Sequence, residues 1–187
     1  MFPAVDKKIQ YLVGTPESCR NIRPRAPYND LVCDFLNSLS SVLLSDKEAK
    51  TYPDVISFAY WCRKANIVRL KQAFGETRSR LGLGLAFHIA PSNVPINFAF
   101  SFAFSLLAGN ANIVRVPSKE FPQPHIVCRA IKRVFSDVKY AELGKDAAFV
   151  KYEQDDEITG AFSTTCNARI IWGGDQAIQN IRKLPTP

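Results

Sequence analysis

The chain has 187 residues, 47% of them hydrophobic and 11% aromatic, with a formal net charge of +7 and a pI near 9.3. That length and apolar content exclude a disordered chain and allow one ordinary core. The charge suits nucleic acid, an anionic membrane or a phosphorylated ligand, but no run of five like charges occurs, which weighs against nucleic acid.

Residues 1–28 carry four prolines and scattered cations. They read as an extended, irregular arm. Asn29 or Asp30 can cap a helix, and Leu31, Phe35, Leu36, Leu39, Val42 and Leu43 then recur at helical spacing. Pro53 suits the first turn of a second helix. Its apolar stripe runs through Val55, Phe58, Ala59, Cys62, Ala65 and on to Phe74.

After residue 80 short strands alternate with helices. "LAFHIA" reads as a buried strand and Pro95 to Ala108 as a buried helix. "NANIVRV", "AAFVKY" and "ARIIW" are strands; "QPHIVCRAIKRVF", "DDEITGAFST" and "DQAIQNIRKL" are helices. This alternation predicts an α/β fold with a parallel, Rossmann-like sheet, helices on both faces and right-handed crossovers. A helical segment precedes it, giving an expected division at 1–80 and 81–187. One stretch conflicts locally: "FAFSFAF" spaces Phe98, Phe100, Phe102 and Phe104 as a strand would. Pro95 before it and Gly109 after it favour a helix.

From Leu81 to Val114 there is no Asp, Glu, Lys or Arg, longer than a membrane span requires. Pro91, Asn93, Pro95, Asn97, Gly109 and Asn110 divide it, so buried strands and a helix account for it better. Five cysteines (Cys19, Cys33, Cys62, Cys128 and Cys166) form no CxxC. Reduced buried thiols are expected, with no metal site. The start has no leader-like pattern, so a cytoplasmic protein is expected.

In an open parallel sheet, ligands collect beyond the carboxyl ends of the strands. The first strand end supplies Ile89, Ala90, Pro91, Ser92 and Asn93. The second supplies Arg115, Ser118 and Lys119, which can hold a phosphate or form a solvated basic loop. The last supplies Gly173 and Gly174, leading into a helix whose N-terminus can hold pyrophosphate or simply make a tight turn. The usual dinucleotide fingerprint is absent, because Gly82 and Gly84 precede a strand. Asn93 can donate to an oxyanion or satisfy its own turn. His88 reads as a satisfied core histidine, and Asp155, Asp156 and Glu157 as residues favouring a helix N-terminus.

"FHIAPSNVPINFAFS", "LLAGNANIVRVPSK", "YPDVISFAYWCRKANI" and "RIIWGGDQAIQNIRKLPTP" together resemble the LuxC-like acyl-CoA reductases. These are the fatty-acid reductases of bacterial bioluminescence systems and their relatives, within the aldehyde dehydrogenase superfamily. The resemblance covers roughly residues 30–187. It implies an aldehyde dehydrogenase-type cofactor domain without the usual glycine fingerprint. It implies NADPH-dependent reduction of an acyl-CoA or acyl-protein thioester to an aldehyde through a catalytic cysteine. Asn93 falls at the superfamily's oxyanion-binding asparagine. Arg115, Ser118 and Lys119 fall near the adenosine ribose, and Gly173 and Gly174 near the pyrophosphate. Ile89, Ala90, Pro91 and Ser92 are expected to line the same cofactor site. Lys119 stands where NAD-preferring members often carry glutamate, which favours NADP. None of the five cysteines fits the family's nucleophile motif, so a cofactor-binding portion lacking the catalytic domain is expected, with an acyl-transferring partner or a second copy as possible partners. Other readings are a non-catalytic nucleotide-binding or interaction module, and a basic nucleic-acid-binding protein.

Overall fold

Five strands line up in the order β1–β4–β3–β2–β5 in the computed structural model, which describes residues 8–20, 22–75 and 79–186. The strands are β1 (Gln10–Val13), β2 (Leu85–Ile89), β3 (Ala111–Arg115), β4 (Ala147–Lys151) and β5 (Ala168–Ile171). β2 through β5 are mutually parallel, and β1 runs antiparallel along β4. The helices are α1 (Asp30–Ser45), α2 (Pro53–Trp61), α3 (Lys64–Phe74), α4 (Asn97–Leu107), α5 (Pro122–Phe135), α6 (Ala141–Gly144), α7 (Asp156–Thr165) and α8 (Asp175–Arg182). The α/β fold with a mostly parallel, Rossmann-like sheet is therefore as the strand–helix alternation predicts.

The arm differs from expectation. Its first seven residues lie outside the described ones, but Gln10–Val13 forms an edge strand instead of irregular chain. Nothing local marks it. Its partner, β4, supplies an unpaired edge of N–H and C=O groups, which a short strand can satisfy. The second helix also differs, because it breaks into α2 and α3. Arg63 is extended there (φ −63°, ψ 144°). Asn37 Oδ1 on α1 accepts from Lys64 N at 2.9 Å, and Asn66 Nδ2 donates to Trp61 O at 2.7 Å. Side chains thus take up backbone groups that a continuous helix would pair internally.

Helix α4 resolves the phenylalanine alternation. Phe98 and Phe102 are fully buried against Phe149, with ring centroids 6.0 and 4.8 Å away. Phe100 and Phe104 point elsewhere, toward Trp61 of α2, at 5.8 and 4.8 Å. A spacing of two along the sequence becomes two i, i+4 pairs on opposite helix faces. Gly109 then ends the segment at φ +91°, where a Cβ would lie 2.0 Å from Arg25 O. Helices α1, α2, α4 and α5 share one core with β4 residues, so the segments before and after residue 81 are packed together. Leu85, Phe87 and Ile89 project to the other face, against Ile158 and Phe162 of α7.

His88 faces the α4 side and is fully buried. Its Nδ1 lies 2.7 Å from Ser101 Oγ, and its Nε2 lies 3.0 Å from Asn112 Oδ1. Asn112 Nδ2 donates to Asn110 O at 2.9 Å, so Oδ1 is the acceptor and Nε2 carries the proton. Burial lowers the His88 pKa from its ordinary 6.5 to about 4, with Asn112 opposing. The unfolded chain therefore takes up a proton between pH 6.5 and 4 that the folded chain refuses. Stability from this site is complete above pH 6.5 and is lost as pH falls toward 4, by about 2 kcal/mol at pH 5. Urea unfolding at pH 8 and pH 5 should show this loss in the parent chain and a smaller one in His88→Gln. Equal losses would exclude His88 as the source.

Candidate active site at the sheet's carboxyl edge

The chain leaves β2 through α4 to β3, then through α5 to β4, and returns through α7 to β5 on the other side of β2. Strand order therefore reverses between β2 and β5. The connections diverge there, and in open α/β sheets such a reversal is where a ligand crevice lies, beyond the strand ends. Ile89 O accepts from Trp172 N at 3.0 Å, which locks the two strand ends together. Ala90 N donates to Arg115 O at 3.3 Å and ties in β3.

Ile89 and Ala90 are buried under this edge, Pro91 is half-buried, and Ser92 and Asn93 are exposed in the following turn. Among the described residues no hydrogen bond uses the Asn93 amide. The amide is not consumed by its own turn, so both its donors remain for a ligand. Directly across the reversal, Gly173 and Gly174 are exposed and lead into α8. Gly174 is the N-cap and offers no side-chain cap. A Cβ built on it would meet nothing within 4 Å. First-turn N–H groups with open space before them suit an anion, although the exposed carboxylate of Asp175 sits in the same turn.

The β3 end behaves differently. The Arg115 guanidinium sits 4.5 Å from the centre of the Tyr152 ring, and one of its nitrogens donates to Tyr152 O at 3.3 Å. Its Nε is buried and finds no partner among the described residues. Arg115 thus leans toward β4, away from the β2–β5 reversal. Burial pushes the Tyr152 phenol up to about 12, with Arg115 opposing, so it stays neutral beside the cation. Ser118 is half-buried. Lys119 is exposed, its Nζ 5.4 Å from the Phe121 ring. Asp155 caps α7 by accepting from Glu157 N and Ile158 N, both at 3.1 Å. That satisfies the carboxylate structurally, and the described residues contain no cluster of His, Cys, Asp or Glu suited to a metal.

The cysteines lie away from this edge. Cys19 sits in a short 3-10 helix and contacts Asn112 O; Cys33 and Cys128 are on α1 and α5; Cys62 and Cys166 end α2 and α7. Burial raises the thiol pKa of all five, to about 12 for Cys19 and Cys128.

Trp172 and Ser101 were not among the residues expected from sequence. Trp172 is 44% exposed at the end of β5, and its indole Nε1 donates to Ser101 Oγ on α4 at 2.9 Å. The available signal was polarity: Ser101 and Ser105 interrupt an otherwise apolar helix, and His88 required partners. No described helix is long and apolar enough to cross a membrane.

No curated protein matches this chain. The acyl-CoA reductase (LuxC) family does match, over residues 67–187, more than half of the chain and all of the β2–β5 sheet. With a reversal crevice bordered by an uncommitted asparagine and an uncapped glycine-led helix, and with that match, the chain belongs to the LuxC family of acyl-CoA reductases, enzymes that use a nicotinamide cofactor.

Proposed function

We propose that this chain is the cofactor-binding portion of an NADPH-dependent reductase that converts a fatty acyl-CoA or acyl-protein thioester to an aldehyde. The observation that carries this reading is the β2–β5 reversal, where Ser92–Asn93 and Gly173–Gly174 share one edge of the sheet. The residues fit the cofactor: the open space at Gly174 accommodates pyrophosphate oxygens against the first-turn N–H groups of α8. NADPH, when bound, supplies the hydride that reduces the acyl carbon.

The chain's own residues then have distinct tasks. The Asn93 amide donates to the acyl oxygen, stabilising the negative charge that develops as the thioester carbon becomes tetrahedral. Ile89, Ala90 and Pro91 form the apolar floor that keeps water from that edge. Lys119 and Ser118 pair with the ribose 2′-phosphate, giving preference for NADPH over NADH. Arg115, held on Tyr152, contributes positive potential there without being free to move. A nucleophile needs a lowered pKa and access, whereas burial raises the thiol pKa of all five cysteines, which argues against each of them as the acyl acceptor.

NADPH titration by calorimetry should give saturable binding. Absence of binding, together with salt-sensitive binding to DNA or RNA, would replace this reading with a basic nucleic-acid-binding protein. Gly174→Val should lower the melting temperature only slightly, since a Cβ there meets nothing within 4 Å and the cost is that of a poorer N-cap, yet weaken NADPH binding about tenfold or more. Unchanged affinity would remove the α8 N-terminus from the site. Lys119→Glu should weaken NADPH about tenfold and spare NADH; equal effects on both would exclude recognition of a 2′-phosphate. Under native conditions at pH 8, Cys19, Cys62 and Cys128 should react with a disulfide reagent about a hundredfold slower than in urea. A thiol reacting faster than free cysteine would locate the nucleophile in this chain instead.

A further inference from the structure

Trp172 occupies an unusual position. Its backbone N–H bonds Ile89 O at 3.0 Å, and its indole crosses from the end of β5 to Ser101 on α4. It is nearly half exposed, whereas Ser101 is 3% exposed and His88 is fully buried. An exposed ring is thus tied to a buried polar chain.

Proton bookkeeping fixes the direction of that chain. An indole N–H only donates, so Ser101 Oγ accepts from Trp172 and must direct its own proton to His88 Nδ1. His88 Nε2 then donates to Asn112 Oδ1, and Asn112 Nδ2 to Asn110 O. Each donor points inward, away from the crevice, and each acceptor already has its donor. The Ser101 hydroxyl cannot reverse without leaving the buried His88 Nδ1 unpaired, which costs about 1–3 kcal/mol. The indole is therefore held in one orientation by groups that cannot rearrange independently.

We infer that Trp172 is a fixed wall of the cofactor crevice, presenting its ring to the planar heteroaromatic part of the nicotinamide nucleotide, and that Ser101 and His88 are its positioning residues. This rests on the nucleotide occupying the β2–β5 reversal as proposed above. A wall locked before binding loses little rotamer entropy when the ligand arrives, and an aromatic ring offers a stacking surface to another.

The test uses the 187-residue chain with nitrogen-15-labelled indoles, which gives two side-chain resonances, from Trp61 and Trp172, assigned with Trp172→Phe. NADPH should shift the Trp172 resonance and leave that of Trp61 in place. Ser101→Ala should move the Trp172 indole proton upfield, speed its exchange with solvent, and weaken NADPH binding about five- to tenfold, the equivalent of one lost hydrogen bond. Ser101→Thr, which keeps the hydroxyl, should restore both. Trp172→Ala, at a half-exposed position, should weaken binding at least as much, and it decides the role of the wall if Ser101→Ala does not fold. If the parent chain binds NADPH and neither Ser101→Ala nor Trp172→Ala alters its affinity, this inference is wrong and the cofactor site stands. If the parent chain binds no nicotinamide nucleotide, the site and the inference fall together.

Discussion

A histidine with no solvent exposure in an interior strand must have both ring nitrogens matched inside the protein, and much of this architecture follows from that requirement. His88 lies where β2, β3 and α4 meet, and its partners come from the other two elements: Ser101 from α4 and Asn112 from β3. An unpaired nitrogen there would forfeit a hydrogen bond with no water to replace it. The match holds only if α4 crosses the sheet at one height and β3 pairs in one register, Ala86 beside Asn112 and His88 beside Val114. Apolar contacts around it, such as Phe102 on Phe149, supply most of the burial but tolerate small slides. The polar chain does not, so it sets register while the phenylalanines supply stability.

From that fixed centre the candidate site follows by topology. Two crossovers leave β2 on one side and the third returns on the other, so the loops after β2 and β5 diverge over a crevice. Polar groups there are uncommitted: the Asn93 amide, and the first-turn N–H groups after Gly174. At the neighbouring strand ends Arg115 donates to Tyr152 O, with its Nε unpartnered among the described residues, Asp155 caps α7, and Lys119 is exposed. Buried thiols add a chemical constraint, because a protein that handles thioesters through cysteine needs a reactive sulfur, and burial works against that at each of these five positions.

The legibility of the chain varied with the range of the forces involved. Strands β2 to β5 and helices α4, α5, α7 and α8 were readable because period, proline and glycine positions are local properties. A cap at Asn29 or Asp30 was readable for the same reason, and Asn29 is the one that accepts from Leu31 N. Strand β1 was not, since four residues become a strand only beside the open edge of β4. The break between α2 and α3 was not, since it depends on Asn37 from another helix. Arg115 illustrates the limit at the site: its charge at a strand end was visible, but its engagement with Tyr152 was set by strand pairing.

By itself the sequence determined the fold class, the parallel strands, the absence of a glycine fingerprint and the stretches that place the chain among the LuxC reductases, because motif and periodicity are written in neighbouring residues. Only the tertiary structure decided which polar groups remain free. His88 was legible as a satisfied histidine, but its partners stand 13 and 24 residues away, and Trp172 reaches Ser101 across 71. Hydrogen bonds over such separations depend on strand order and helix placement, and the chain acquires those only when the sheet has formed.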